Sequence, residues 1–244
     1  MNENLRTALR KLRLSGLGQT LDVRLQEARA NSLDHEEFLE LALQDELNLR
    51  RDHLISRRLK AASFPALKTI DQFNWEFNPS INRKIIFNLA SCDFIRNARD
   101  ILFVGPPGTG KTHLALAIGM QAVKMDFIVF YRSIFDLVRD FMKDEACSGK
   151  DNILKKYLVP DLLIIDDMGI KQLPSKAGEY LFEVIMRRYE LKSTAMTSNR
   201  PIEEWGKLIG DVPAAGAILD RFLHHAEIID ITGRSYRLKD KTAE

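Results

Sequence analysis

Gly105-Pro106-Pro107-Gly108-Thr109-Gly110-Lys111-Thr112 is the stretch from which the rest of this chain is read. It has the form Gly-x4-Gly-Lys-Thr. An apolar, β-rich run, Ile101–Val104, precedes it, and a helical pattern, Thr112–Val123, follows. A loop of this form between a strand and a helix is built to cradle phosphate. Gly108 and Gly110 let backbone N–H groups turn toward an anion without Cβ obstruction. The first turn of the helix adds the positive end of its dipole. Lys111 supplies a full positive charge to the outer phosphates, and the Thr112 hydroxyl can hold Mg²⁺. The nucleotide-binding set is therefore Gly105, Pro106, Pro107, Gly108, Thr109, Gly110, Lys111, Thr112 and the adjoining His113.

Working outward, Leu162-Leu163-Ile164-Ile165-Asp166-Asp167 is an apolar run ending in two carboxylates. In a parallel sheet the functional edge is the carboxyl end of the strands, so both acids are expected beside the loop. Asp166 is the metal-side carboxylate, with Thr112 as the other metal ligand, and Asp167 is placed to orient an attacking water. Thr197-Ser198-Asn199 ends another apolar strand, and Asn199 brings a neutral polar group to the same edge. Asp220-Arg221-Phe222 closes a helix beginning near Pro213; Arg221 is either a helix-end cation or a finger aimed at a neighbour's nucleotide. His224 and His225 are expected on different faces of that helix, which argues against metal binding there.

Five short apolar runs alternate with helical stretches across the larger part of the chain. The runs are Ile101–Val104, Phe127–Tyr131, Leu162–Ile165, Thr194–Thr197 and Glu227–Ile231. Such alternation argues for an α/β fold with a five-stranded parallel sheet covered on both faces. Residues 1–62 read as a small all-helical N-terminal domain. It has a break at Ser15-Gly16-Leu17-Gly18, a capping pattern at Ser32 to His35, and a helical stripe through Ala42, Leu43, Glu46 and Leu47 that is apolar but for Glu46. Ser63-Phe64-Pro65 breaks the helix, and 63–244 is the expected α/β domain that carries the phosphate loop.

The 244 residues carry 36 Lys plus Arg against 34 Asp plus Glu, a net charge of +2. That excludes a bulk polycation but not a local basic patch. Cys92 and Cys147 lie far apart, so a disulfide framework and a zinc knuckle are not expected. No signal-peptide core or bilayer-length apolar run occurs, and a cytoplasmic location with no membrane partner is expected.

Together these residues resemble the AAA+ P-loop NTPases, and within them the DnaC/IstB-like group. The resemblance also rests on His113-Leu114-Ala115, Arg188-Tyr189-Glu190, Ser235-Tyr236-Arg237 and the N-terminal Leu12-Arg13-Leu14-Ser15-Gly16-Leu17. It implies Walker A at Gly105–Thr112, Walker B at Asp166 and Asp167, sensor 1 at Asn199 and a trans arginine finger at Arg221. Lys111, Asp166, Asp167, Asn199 and Arg221 are then the catalytic set of an ATPase using ATP and Mg²⁺. The resemblance further implies an ATP-dependent DNA-binding regulator of transposition. Such a protein oligomerises on target DNA as a ring or spiral and recruits and stimulates a transposase. It works in the bacterial cytoplasm, associated with the nucleoid when on DNA. The alternative is a DnaC-like replicative helicase loader.

Two departures stand out. The second Walker B acid is Asp167, where many AAA+ proteins have glutamate, which predicts slow hydrolysis used as a switch. Only about twenty residues follow Arg221, so the C-terminal lid is expected to be reduced or absent, with a hairpin around Thr232-Gly233. Arg237 is either a stand-in for the lid's sensor arginine or a surface residue. For weakly sequence-selective contact with duplex DNA the candidates are Lys150, Lys155 and Lys156, in an extra helix before Walker B, with Arg10, Lys11, Arg13, Arg57 and Arg58. A small-molecule P-loop kinase would need an acceptor pocket and lid arginines of its own, which the sequence does not display.

Overall fold

A computed structural model describes residues 2–147, 152–169, 173–174, 176–209 and 212–241. The chain forms two compact units, Met1–Arg57 and Arg58–Glu244. The first contains α1 (Glu3–Lys11), α2 (Ser15–Asn31) and most of α3 (His35–Ala61). The break expected at residues 15–18 lies earlier. The turn is Leu12–Leu14, with Arg13 at φ 55°, and both glycines sit in the first turn of α2.

The reason is a cap supplied from another helix. Glu46 of α3 accepts hydrogen bonds from the amides of Gly16 (2.6 Å) and Leu17 (3.1 Å), satisfying donors that α2 leaves open. Gly16 is needed for this approach, because a Cβ would lie 2.8 Å from Asp45 O and from Glu46 Cα. Arg24 of α2 grips Asp45 of α3 with two bonds of 2.8 Å each. Asp34, not Ser32, opens α3. It forms a reciprocal capping box with Glu37, at 2.8 and 3.1 Å, while Ser32 ends α2 in a left-handed conformation.

The division between the units falls inside α3, several residues before the proline break. The last turn of α3 belongs with the second unit. Ala62 is fully buried there, its carbonyl accepts from Tyr131 N at 2.9 Å, and Arg58 pairs with Asp126 at 2.9 Å.

The second unit is built on β1 (Asp100–Val104), β2 (Val129–Ser133), β3 (Leu162–Met168), β4 (Ser193–Ser198) and β5 (Ala226–Asp230). All are parallel, in the order β2-β3-β4-β1-β5. The helices are α4 (Arg83–Ala90), α5 (Asp93–Arg96), α6 (Lys111–Lys124), α7 (Ile134–Cys147), α8 (Asn152–Leu158), α9 (Ala177–Arg188), α10 (Trp205–Ile209) and α11 (Val212–His224). Leu102, Leu163, Ile165 and Met196 share one core with Leu137, Tyr157, Leu181, Val184, Ile218 and Phe222. On the opposite face α6 lies so close that a Cβ on Gly119 would be 2.7 Å from Ile164 Cδ1. Buried Arg188, at the end of α9, ties that helix to the connection between α8 and β3 by donating to the carbonyls of Tyr157 (2.8 Å) and Pro160 (2.9 Å). No described helix is long and apolar enough to cross a membrane.

The expected C-terminal hairpin does not form. Ile231 continues the pairing of β5 with β1, donating to Val104 O at 2.8 Å. The chain then turns at Gly233 (φ 149°), and Tyr236 N donates to Gly108 O at 2.9 Å. Thr232-Gly233 does signal a turn, but the open carbonyl of the phosphate loop decides where the returning segment goes. Among the described residues only a short 3₁₀ helix, Tyr236–Lys241, follows β5 where a helical lid would stand.

Candidate nucleotide site

The loop after β1 combines left-handed glycines with flanking segments that press against them. Gly105, Gly108 and Gly110 have φ of 149°, 81° and 106°. A Cβ on them would meet Ile231 O at 2.0 Å, Ser235 Oγ at 2.1 Å and Phe73 Cε2 at 2.6 Å, respectively. The glycines thus serve twice: they permit the backbone conformation and they admit these neighbours. Asn78 adds a further hold, its Nδ2 donating to Thr109 O at 2.7 Å.

Lys111 is buried within this loop. Its ammonium donates to Gly105 O and Pro106 O, both at 2.7 Å. Burial pushes its pKa down to about 8, opposed by Asp166 and Asp167 and reinforced by Arg237. Thr112 Oγ1 donates to Asp166 Oδ1 at 2.9 Å. His113 points its chemistry elsewhere. Its Nε2 pairs with Thr69 O at 2.9 Å and its ring meets Phe73 edge-on at 5.3 Å, so it anchors residues 69–73 beside the loop.

Asp166 is 2% exposed. Its Oδ2 accepts from the Tyr131 hydroxyl at 2.8 Å, and its Oδ1 accepts from the hydroxyls of Thr112 and Thr197. Asp167 differs. It is half-buried, its backbone is left-handed at φ 67°, and its pKa is raised by burial and by the neighbouring Asp166 charge. Its amide donates to Thr197 Oγ1 at 3.2 Å. Asn199 follows β4, tied to the end of β3 through its amide and Met168 O at 2.9 Å. Lys111, Thr112, Asp166, Asp167 and Asn199 therefore meet at the carboxyl edge of the sheet. A glycine loop with a buried lysine fits a polyphosphate, and a hydroxyl beside a carboxylate is an oxygen donor set that fits Mg²⁺.

Tyr131, Thr197, Asn78 and Phe73 are site residues that sequence reasoning missed. Tyr131 and Thr197 reach Asp166 only because β2 and β4 flank β3, and strand order is not written locally. Arg237 now has a definite place: it follows the segment pinned to Gly108 and couples electrostatically to both Lys111 and Asp167.

Arg221 is not brought to this site within its own chain. It lies near the end of α11, and His225, just beyond, accepts from Asp100 N at the start of β1 (3.3 Å). The five-residue strand separating the two edges is roughly 15 Å long. At its own edge Arg221 pairs with Asp220 and lies 5.9 Å from the centroid of the Tyr189 ring. His224 and His225 do not diverge as expected. Their ring centroids are 4.1 Å apart, because α11 ends at His224 and helical spacing no longer applies to His225.

Of the basic candidates, Lys156 is engaged with Asp140 at 2.9 Å and lies over the Phe130 ring, while Arg58 is paired with Asp126. Lys155, Arg57, Arg10, Lys11 and Arg13 are exposed. Lys150 lies outside the described residues.

A parallel β2-β3-β4-β1-β5 sheet, with a phosphate loop after β1 and an acidic pair at the end of β3, is the AAA+ P-loop fold. Solved structures with this fold are similar. The DnaC helicase loader has a TM-score of 0.52 at 22% identity, covering 72% of this chain and 98% of that one. AMPPCP-bound DnaA from Aquifex aeolicus has a TM-score of 0.59 at 20% identity, covering 73% of this chain and 54% of that one. Residues 7–244 match the family described as IstB-like ATP binding protein, and the chain belongs to that family. A relative from insertion sequence IS21 of Pseudomonas aeruginosa, named for ATP binding, is 36% identical over 97% of this chain and 89% of its own length.

Proposed function

We propose that this chain is an ATPase of insertion-sequence transposition that binds ATP with Mg²⁺, assembles on duplex DNA, and recruits and stimulates its cognate transposase. The observation that carries the assembly part is the separation of Arg221 from Lys111 across the sheet. An arginine at the amino edge serves a nucleotide only on a neighbouring copy, so the complete site belongs to two subunits. Family membership and the relatives' insertion-sequence origin support the transposition context. Helicase loading is the weaker reading, because its support is likeness of fold alone.

When bound, ATP would supply the phosphoanhydride that is hydrolysed. The chain's own residues do the rest. Lys111 would exchange its loop carbonyls for phosphate oxygens, and Thr112 and Asp166 would hold the metal ion through their oxygens. Tyr131 and Thr197 hold Asp166 in place. Asp167 and Asn199 orient water, and the short reach of Asp167 makes hydrolysis slow, so that ATP acts as an assembly switch.

Subunit mixing tests this. Lys111→Ala and Arg221→Ala proteins are each expected to lack DNA-stimulated hydrolysis, and a mixture is expected to recover part of it, because some interfaces pair an intact loop with an intact arginine. Absence of any recovery, with both variants folded and Arg221→Ala still binding nucleotide, overturns the trans assignment. Capture of a replicative helicase rather than the transposase would favour the loader reading.

A further inference from the structure

Away from the phosphate-loop edge, the described residues include a second group of metal-ligating side chains. Glu190 follows the end of α9, His224 ends α11, and His225 comes just after it. One ligand atom from each lies within 4.8 Å of the others. His225 Nε2 and Glu190 Oε1 are 3.0 Å apart, and the Tyr189 hydroxyl lies 2.6 Å from His224 Nδ1.

The chemistry of this group is specific. Two imidazoles and one carboxylate form a borderline donor set suited to zinc-class ions, whereas hard cations prefer oxygen alone. A hydroxyl on one ring nitrogen of His224 resembles the hydrogen bonds that orient metal-bound histidines and fix their tautomer. Glu190 has a left-handed backbone at φ 56°, uncommon for a residue with a side chain, at the bend that sets its carboxylate against His225. Both histidines also line a polar cavity shared with Asn97, Asp100 and Glu227, which gives access to water.

We propose that Glu190, His224 and His225 form a binding site for one divalent transition-metal ion of the zinc class, with water as the fourth ligand. Zinc held at about 2.0–2.1 Å from each donor needs donors roughly 3.3 Å apart, so the present separation closes by side-chain rotation. All three side chains are exposed or half-exposed. Once bound, the ion clips the end of α9 to the end of α11. Arg221 precedes His224 by one helical turn and rests over Tyr189, so the clip borders the residue assigned above to a neighbour's nucleotide. The metal site does not depend on that assignment.

The test uses tag-free, full-length protein, stripped of metal with EDTA and free of nucleotide. Titration with CoCl₂ is expected to give one equivalent of visible absorption of tetrahedral type, displaced by ZnCl₂. Zinc at a hundredfold excess over its dissociation constant is expected to raise the melting midpoint by roughly 5–10 °C, and Mg²⁺ is not. Glu190→Gln, His224→Ala and His225→Ala should each weaken Co²⁺ binding at least tenfold while keeping the metal-free melting midpoint. His35→Ala and His53→Ala should leave binding unchanged. Failure of Co²⁺ and Zn²⁺ to saturate, or unchanged affinity in the His224→Ala/His225→Ala protein, overturns the site. Should that double variant melt early, Glu190→Gln carries the same decision.

Discussion

Raising the pH should weaken nucleotide binding earlier than it would for an ordinary lysine site. Burial holds the Lys111 pKa at about 8. A nucleotide phosphate brought against Lys111 favours the charged form, so the pKa rises on binding and the complex takes up a proton. Below pH 8 the free lysine is already charged and affinity is flat; above pH 8 each unit of pH must be offset by protonation. With a free pKa near 8 and a bound pKa above 10, affinity at pH 9 falls roughly tenfold below its neutral value, about 1.4 kcal/mol. An unperturbed lysine, with a pKa of about 10.4, would lose only a few per cent at the same pH. Phosphate ionisation does not interfere above pH 7.5, because the second phosphate pKa lies near 6. Isothermal titration of ADP between pH 7.5 and 9.5, in buffers of different ionisation enthalpy, reads affinity and proton uptake together. Uptake should approach one proton at pH 9, and Lys111→Arg, always charged, should bind with a flat profile. A flat profile for the wild-type protein would falsify the argument that burial in the loop depresses Lys111.

Three further outcomes follow from the packing. Gly16→Ala should destabilise the N-terminal unit by about 1–3 kcal/mol despite alanine's better helix propensity, because its Cβ enters the α3 backbone; a thermal melt with an unchanged or raised midpoint refutes this. Tyr131→Phe removes a bond to the buried Asp166 carboxylate and should raise the Mg²⁺ concentration for half-maximal hydrolysis several-fold with little change in nucleotide affinity; an unchanged Mg²⁺ profile argues against it. Asp167→Glu should hydrolyse ATP faster than wild type in steady-state assays, and equal or slower turnover removes side-chain length as the cause of slow hydrolysis.

Much of the nucleotide edge was legible in the chain because its signals are local. A strand, a glycine loop and a helix start within a dozen residues, and Leu162–Asp167 is a buried strand that stops at two charges. The same locality misled at Gly16 and Gly18. There a glycine pair signals a break, although Gly16 serves as close packing against Glu46, thirty residues away. It misled again at Thr232-Gly233, where a turn signal gave no information about the partner of the returning strand.

Sequence by itself determined the class of fold, the phosphate loop, the acidic pair and the family, since each depends on residue order over short spans. Tertiary structure alone decided that Tyr131 and Thr197 buttress Asp166, that Asn78, Phe73 and Ser235 clamp the loop, and that Arg221 stands across the sheet from Lys111. Those facts depend on strand order and on where helices end, which are set by burial and backbone hydrogen bonding of the whole domain. The meeting of Glu190, His224 and His225 is of the same kind: the helix ends between two adjacent histidines, and only the folded chain brings them to one carboxylate.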